Sequence, residues 1–288
     1  MSMILEAKPV IEALKNELQQ EISRLIAQGI TPTLGIIRVG NRPDDVYYEN
    51  SIVKNCQSIG METKTYALEQ NIGMEEFTEK LLEVNQDKEV HGILIFRPLP
   101  AQLDENEIDH IIDPDKDIDG MNPLNLAKIF GGDTAELAPC TVAAVIEILK
   151  YYNISLKGTN VAVVGMSMVV GKPLSMMLLK ENATVTMCHI ETKNVPEITR
   201  KADVIVVAIG KAKLIDAQYV TPNSIVIDVG INETEDGRIC GDVDFEAVKD
   251  KVRAITPVPG GVGSVTTIIL LKHVVKACLS QIIESKCI

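Results

Sequence analysis

No stretch of this chain reads as apolar for long enough to span a bilayer, and its opening residues lack the basic region and apolar core of a secretory signal. A membrane partner is therefore not expected, and the expected location is cytoplasmic. A basic stripe is missing as well. The net charge is −12, so nucleic-acid backbone is not an expected partner. The six cysteines (Cys56, Cys140, Cys188, Cys240, Cys278, Cys287) form no CxxC pair and read as scattered reduced thiols. The four histidines (His91, His110, His189, His273) show no ligand spacing with one another or with cysteine, so no metal site is expected. Low-complexity tracts and internal repeats are absent.

What is present is a 46% apolar chain of 288 residues, long enough for two domains with real cores. Helical and strand patterns alternate almost throughout. An amphipathic helix is expected over residues 4–28, stopping at Gly29. A buried strand follows over 33–39, then a helix over 44–59 ended by Gly60, a strand over 63–67, a helix over 74–86 and a buried strand over 92–96. That βαβαβ series implies an α/β fold with a mostly parallel sheet covered by helices. Pro and Asp crowd residues 97–123, which read as loops with a short helix. A helix from Thr141 to about Tyr152 leads to a second unit with strands at 160–164, 184–188, 204–209 and 224–229. The strand at 204–209 is apolar at every position, as a doubly covered parallel strand should be.

Residues 256–263, Thr-Pro-Val-Pro-Gly-Gly-Val-Gly, precede a final helix expected over about 264–284. Proline fixes φ and glycine admits backbone that other residues cannot adopt, so the loop has a defined shape without side-chain bulk. It suits a flat ligand lying against main chain; a rigid connector into the last helix is the competing reading.

In the second unit, Gly165-Met-Ser-Met-Val-Val-Gly171-Lys-Pro173 joins a strand to a helix. Gly165 allows a tight turn, and Gly171 allows close packing of helix on strand. The N–H groups at the helix start can face a pyrophosphate. Two of the three glycines of a dinucleotide fingerprint are present, so an ordinary βα turn stays open on this motif alone. Gly210 and Gly230 also follow apolar strands, where ligands of open α/β sheets bind, and they favour a nucleotide crevice.

Four motifs then occur in order: Pro114-Asp-Lys-Asp-Ile-Asp119-Gly120, Gly165-x-Ser167-x-x-Val170-Gly171-x-Pro173, Asp228-Val-Gly230-Ile231-Asn232, and Thr256–Gly263. Together they resemble the methylenetetrahydrofolate dehydrogenase/cyclohydrolase family of the bacterial FolD type, over essentially the whole chain. The resemblance implies a folate-binding catalytic domain over 1–139, completed by a C-terminal helix over 265–288. It implies a Rossmann-type NAD(P)-binding domain over 140–264, a cleft between the two, and a homodimer. It also implies two reactions. A hydride passes from 5,10-methylenetetrahydrofolate to a nicotinamide, and water then opens the methenyl cation to 10-formyltetrahydrofolate. Tyr48 is expected to stack on the pterin and Asp119 to accept from its N–H groups. Pro98, Leu99, Pro259, Gly260 and Gly261 are expected to line the folate site. Gly165, Met166, Ser167, Val170, Gly171, Ile190, Glu191, Gly210, Gly230 and Ile231 are expected to line the cofactor site.

The chain departs from that family at two positions of the catalytic set. The family pairs its tyrosine with a lysine four residues later and supports the lysine with a glutamine. Here those positions are Ile52 and Phe96, and Lys54 reads as a solvated helix lysine. Losing both polar partners together leaves a consistent apolar patch, whereas losing one would strand the other. Hydride transfer needs positioning more than a general base, while adding water to the cation needs proton handling. The expectation is an intact dehydrogenase with weak or absent cyclohydrolase; full bifunctionality is the alternative. Met166 and Ile190 stand where NADP-using members often carry a cation or hydroxyl, and Glu191 is placed to bind ribose hydroxyls. The cofactor is therefore expected to be NAD or NADP with a lean to NAD, although Lys193 or another base stays available for a phosphate.

Overall fold

The computed structural model describes residues 2–132, 137–234 and 236–286, with 284–286 as backbone only. Cys287, expected as a reduced thiol, lies outside the described residues. A two-residue strand β1 (Met3–Ile4) and helix α1 (Ala7–Ile26) precede β2 (Thr33–Val39), α2 (Pro43–Ile59), β3 (Glu62–Leu68), α3 (Met74–Gln86) and β4 (Gly92–Ile95). Short helices α4 (Glu105–Ile111) and α5 (Pro123–Phe130) come before α6 (Cys140–Tyr151). Then follow β5 (Asn160–Val164), α7 (Gly171–Lys180), β6 (Thr184–Cys188), α8 (Val195–Thr199), β7 (Val204–Val207) and β8 (Ile225–Asp228). A small antiparallel pair, β9 (Asn232–Glu233) and β10 (Ile239–Cys240), leads through α9 (Phe245–Val248) and β11 (Ala254–Ile255) to α10 (Val262–Lys286).

The chain divides into two compact units. The three-stranded unit holds Ala13–Lys128, a short stretch ending at Cys140, and the chain from Ile268 onward. Its sheet is parallel, in the order β3-β2-β4. All seven residues of β2 are buried, as a central strand covered on both faces requires. Ile37, Phe77, Leu81, Val90, Ile93 and Ile108 form the heart of its core. Each such side chain contributes about 1.5–3 kcal/mol by leaving water.

The six-stranded unit holds the residues up to 12, a short stretch from Ile129, and Thr141–Thr267. Its sheet runs β1-β11-β8-β7-β5-β6, every pairing parallel. From β5 the chain steps outward to β6, then returns to the other side of β5 at β7. That reversal is the topological switch point, beyond whose carboxyl ends ligands bind in such sheets. The strand β7 is buried throughout, as its composition requires.

Most element boundaries fall within one or two residues of expectation, and two differences matter more. The first helix begins at Ala7, because Met3 and Ile4 pair with Ala254 and Ile255 and extend the six-stranded sheet. The N-terminal residues therefore group with that unit, not with the three-stranded one. The second difference concerns apolar length. Val262–Ile283 within α10 is long and apolar enough to cross a membrane by composition alone, with mean hydropathy 1.5. Lys272, His273 and Lys276 interrupt it, which is why no continuous run stands out. Its apolar window is 61% buried inside the fold, as in a core helix.

Candidate functional site

Three neighbouring strands of the six-stranded unit, β5, β7 and β8, end in glycine-bearing turns. At the end of β5, Gly165 has φ +132°, and a Cβ there would stand 2.1 Å from the Ala208 carbonyl oxygen. A Cβ on Gly171 would stand 2.1 Å from the Gly165 oxygen. Only glycine fits either place, so three stretches of main chain meet with no side chain between them. The turn is self-supporting: Val170 N–H donates to Ser167 Oγ at 3.1 Å and Lys172 N–H to Ser167 O at 3.0 Å.

The adjoining turn after β7 is held from below. The buried Asp242 carboxylate accepts from the N–H groups of Ile209 (2.6 Å), Gly210 (3.0 Å) and Lys211 (2.8 Å), and from Asn232 Nδ2 (2.9 Å). Its neighbour Asp228 accepts from Gly230, Asp242 and Val243 N–H groups, and burial pushes its carboxyl up to about 6. The loop at 256–263 hangs from the same framework, because Thr256 Oγ1 accepts from Asp228 N–H at 2.8 Å. In that loop Gly261 is buried with its Cβ position 2.3 Å from Pro257 O, whereas Pro259 and Gly260 are exposed and Gly260 O accepts from Ala7 N–H.

A pocket of about 430 Å³ opens at the switch point. Of the ten residues expected at the cofactor site, Gly165, Met166, Ser167 and Ile190 line it. Val170, Gly171, Glu191, Gly210, Gly230 and Ile231 do not. Gly171, Gly210 and Gly230 shape the turns behind it: Gly210 gives its N–H to Asp242, and Gly230 gives its own to Asp228. Glu191 is exposed, and Ile231 is 64% exposed. Sequence reasoning missed a second wall made by Lys211, Leu214, Ile215 and Tyr219. These follow β7 in an irregular stretch without periodicity, and their one signal was apolar residues persisting in a loop.

In the three-stranded unit, α2 begins with Pro43 at its first turn and acidic Asp44 and Asp45 beside the positive helix end. It turns Ile52, Cys56 and Ile59 inward. Tyr48 extends that stripe by one turn, so its side chain lies at the rim of the buried face, 41% exposed, while Tyr47 is 80% exposed. Arg38, buried at the end of β2, bonds Glu49 Oε2 at 2.5 Å, Asn41 Oδ1 at 2.7 Å and the Gly40 carbonyl. This anchor on α2, beside Tyr48, was not foreseen from the sequence.

Tyr48 packs on Phe96, ring centroids 5.3 Å apart and tilted by 39°. Ile52 is fully buried and Phe96 nearly so. The two positions where polar partners were missing are thus both apolar and both inside. Lys54 is exposed. Beyond Phe96, Arg97 and cis Pro98 turn the chain; Pro98 is exposed, and Leu99 packs against the core of its own unit.

Asp117, not Asp119, makes the turn before Asn122, accepting from Asn122 N–H at 2.7 Å and Asn125 Nδ2 at 3.1 Å. Burial pushes Asp117 up to about 6. Asp119 is half-buried and free of that duty. Burial raises it above the ordinary carboxylate value, opposed by the charge of Arg97, while the nearby Cys140 thiol donates to the Ile118 carbonyl at 3.3 Å. Gly120, at φ +69°, is required because a Cβ would stand 2.6 Å from the Ala138 and Pro139 backbone.

Two family models match the chain. "Tetrahydrofolate dehydrogenase/cyclohydrolase, catalytic domain" covers residues 5–119, and the "NAD(P)-binding domain" of the same family covers residues 139–282. "Bifunctional protein FolD 1" of Desulfitobacterium hafniense is 63% identical over 98% of this chain and all of that protein. The crystal structure of the bifunctional FolD enzyme from Campylobacter jejuni, 39% identical, aligns with a TM-score of 0.93 over 98% of this chain and all of its own. The Trypanosoma brucei FolD structure, solved with NADP and an inhibitor, is 29% identical, with a TM-score of 0.89 over 98% of each chain.

Proposed function

The chain belongs to the tetrahydrofolate dehydrogenase/cyclohydrolase family, and we propose that it performs the first of that family's two reactions and little or none of the second. It oxidises 5,10-methylenetetrahydrofolate to the methenyl cation by hydride transfer to a nicotinamide. Nitrogen lone pairs in the substrate drive the departure of hydride, so the protein has only to hold donor and acceptor in register. Tyr48 offers a ring face for the pterin and Asp119 a carboxylate for its N–H groups. Pro98, Leu99, Pro259, Gly260 and Gly261 belong to the same proposal as substrate contacts.

One observation carries the loss of the second reaction: Ile52 and Phe96 are both buried, one a helical turn beyond Tyr48 and the other packed on its ring, where proton handling would need polar groups. Without a lysine there, the general acid–base contribution of roughly 10²–10⁴-fold is missing. The names of the relatives favour the second reading, a fully bifunctional enzyme giving 10-formyltetrahydrofolate. Following the cofactor and methenyl absorbances together separates the two readings. Methenyl product should accumulate and decay at its uncatalysed rate. Decay that scales with enzyme concentration would establish the bifunctional reading.

We infer a modest preference for NAD over NADP. Met166 and Ile190 supply apolar surface at the pocket, and Ile190 is 81% exposed there. Lys211 is the cation that the lining offers to a 2′-phosphate. Glu191 lies outside the lining, so the lean rests on Met166 and Ile190. A homodimer in the cytoplasm is the accompanying expectation that family membership carries.

A further inference from the structure

Arg97 immediately follows Phe96 and has no role in the reaction as described so far. Its side chain is 22% exposed and points at α4. Glu105 and Asp109 lie one turn apart on that helix, so both carboxylates face the same side. Arg97 Nη1 donates to Glu105 Oε2 at 2.8 Å, and Nη2 donates to Asp109 Oδ1. The second oxygen of Glu105 accepts from Leu99 N–H at 2.8 Å. One carboxylate therefore grips the side chain of residue 97 and the backbone of residue 99, with cis Pro98 between them. The planar fork of a guanidinium holds two carboxylates in one fixed geometry, whereas an ammonium can bridge two carboxylates, as Lys64 does with Asp87 and Glu89, but only as a freely rotating point charge.

We propose that Arg97 is the positioning residue of the folate site: its guanidinium, locked to Glu105 and Asp109, fixes the turn carrying Pro98 and Leu99 and supplies the positive charge that Asp119 needs to bind pterin N–H groups. This rests on the proposed folate reading of Tyr48 and Asp119 and goes beyond it. The groups facing Asp119 are few. Asp117 shares its loop, Asp109 projects from α4, Cys140 from α6, and His273 of α10 stands behind Cys140, with Nδ1 3.7 Å from its sulfur. Burial holds His273 neutral, down to about 4, so it brings no charge. Among these groups Arg97 alone is cationic. Burial raises Asp119 and Asp109, and Arg97 lowers both. Without it, like charges on Asp109, Asp117 and Asp119 would face one another, and Asp119 would hold a proton at higher pH. A protonated carboxyl loses half of its capacity to accept.

The test compares wild type, Arg97→Met and Arg97→Lys, measuring kcat and KM for methylenetetrahydrofolate and for the nicotinamide from about pH 5 to pH 9. Arg97→Met should raise the folate KM by about tenfold or more at neutral pH and move the acid limb of kcat/KM to higher pH. The nicotinamide KM should stay put. Arg97→Lys should keep the acid limb near that of wild type, because the charge remains, while its folate KM rises, because the fork is gone. Superposable pH profiles for wild type and Arg97→Met would overturn the proposal, as would a lysine variant shifted as far as the methionine one. Should Arg97→Met fail to fold, Arg97→Lys and Glu105→Gln carry the decision: both must raise the folate KM and leave the acid limb in place. A wild type that does not oxidise methylenetetrahydrofolate at all would instead remove the folate reading on which the proposal stands.

Discussion

In the six-stranded unit the turns that shape the pocket are fixed by main chain, and side chains such as Met166, Ile190, Lys211 and Tyr219 line it. Gly165, Gly171 and Ala208 meet backbone to backbone, and the Asp242 carboxylate holds three consecutive N–H groups of the next turn. In the three-stranded unit the candidate site is made by side chains: Tyr48 on Phe96, the buried Ile52 one turn further along the same helix, and Asp119 under the charge of Arg97. The first construction tolerates almost no change, because a single methyl group collides with fixed backbone. The second can exchange a polar pair for an apolar one and keep its shape. A chain can thus keep its cofactor pocket and lose one of two chemistries.

The harshest way to break this comparison is Gly165→Ala. The new methyl would lie 2.1 Å from the Ala208 oxygen in a backbone conformation with φ +132°. Cofactor affinity should fall by more than about 100-fold, roughly 3 kcal/mol, with a lower melting temperature. Calorimetric titration with NAD and NADP reads it, and a variant that binds either one normally would mean the turn is softer than its contacts indicate.

The side-chain site is sharpened by Ile52→Lys combined with Phe96→Gln. The pair should create enzyme-dependent methenyl hydrolysis, about 10²-fold or more above background, with the nicotinamide KM unchanged. Ile52→Lys alone should mainly destabilise, because it places an unpartnered charge at a fully buried position. Equal hydrolysis by wild type and the double variant would mean that the apolar pair does not limit the second reaction.

A pH-resolved probe uses His273, which belongs to the three-stranded unit only. Its folded value is about 4 against 6.5 for the exposed ring, so the unfolded chain binds the extra proton. Its contribution is complete above about pH 6.5 and is lost as pH falls toward 4, about 3 kcal/mol in all. Asp117 and Asp228, both raised to about 6, titrate in the opposite sense: folding retains their protons, and that contribution fades as pH rises through 6. The difference between wild type and His273→Gln cancels them. Denaturant unfolding at several pH values should show the two stabilities converging as the pH drops through that window. A constant gap would place the His273 effect in packing alone.

The sequence made the fold legible wherever period and punctuation agreed. β2 and α3 have their expected boundaries because a continuous apolar run and a 3.6-residue stripe have no rival reading there. Ile4 was expected at the start of the first helix because an amphipathic pattern shows no strand partner some 250 residues away. Among site residues, the glycines were readable as needs of the backbone, but not which of them would touch a ligand. Gly210 and Gly171 shape the turns from behind, while Lys211 and Tyr219 line the wall without any repeat that marks them. Nothing in the sequence singled out Arg38 or Arg97.

By itself, then, the sequence determined the alternation of strands and helices, the positions where glycine or proline punctuates them, and the apolar residues Ile52 and Phe96 at the two positions where the family resemblance leads one to expect lysine and glutamine. These are properties of single residues and of short periods, so they survive without coordinates. Tertiary structure decided that Ile52 and Phe96 are buried and that Phe96 packs on Tyr48, that Asp117 rather than Asp119 makes the turn, and that Arg97 is clamped to Glu105 and Asp109. Burial, pairing and charge depend on neighbours distant in the chain, and only folding brings those neighbours into contact.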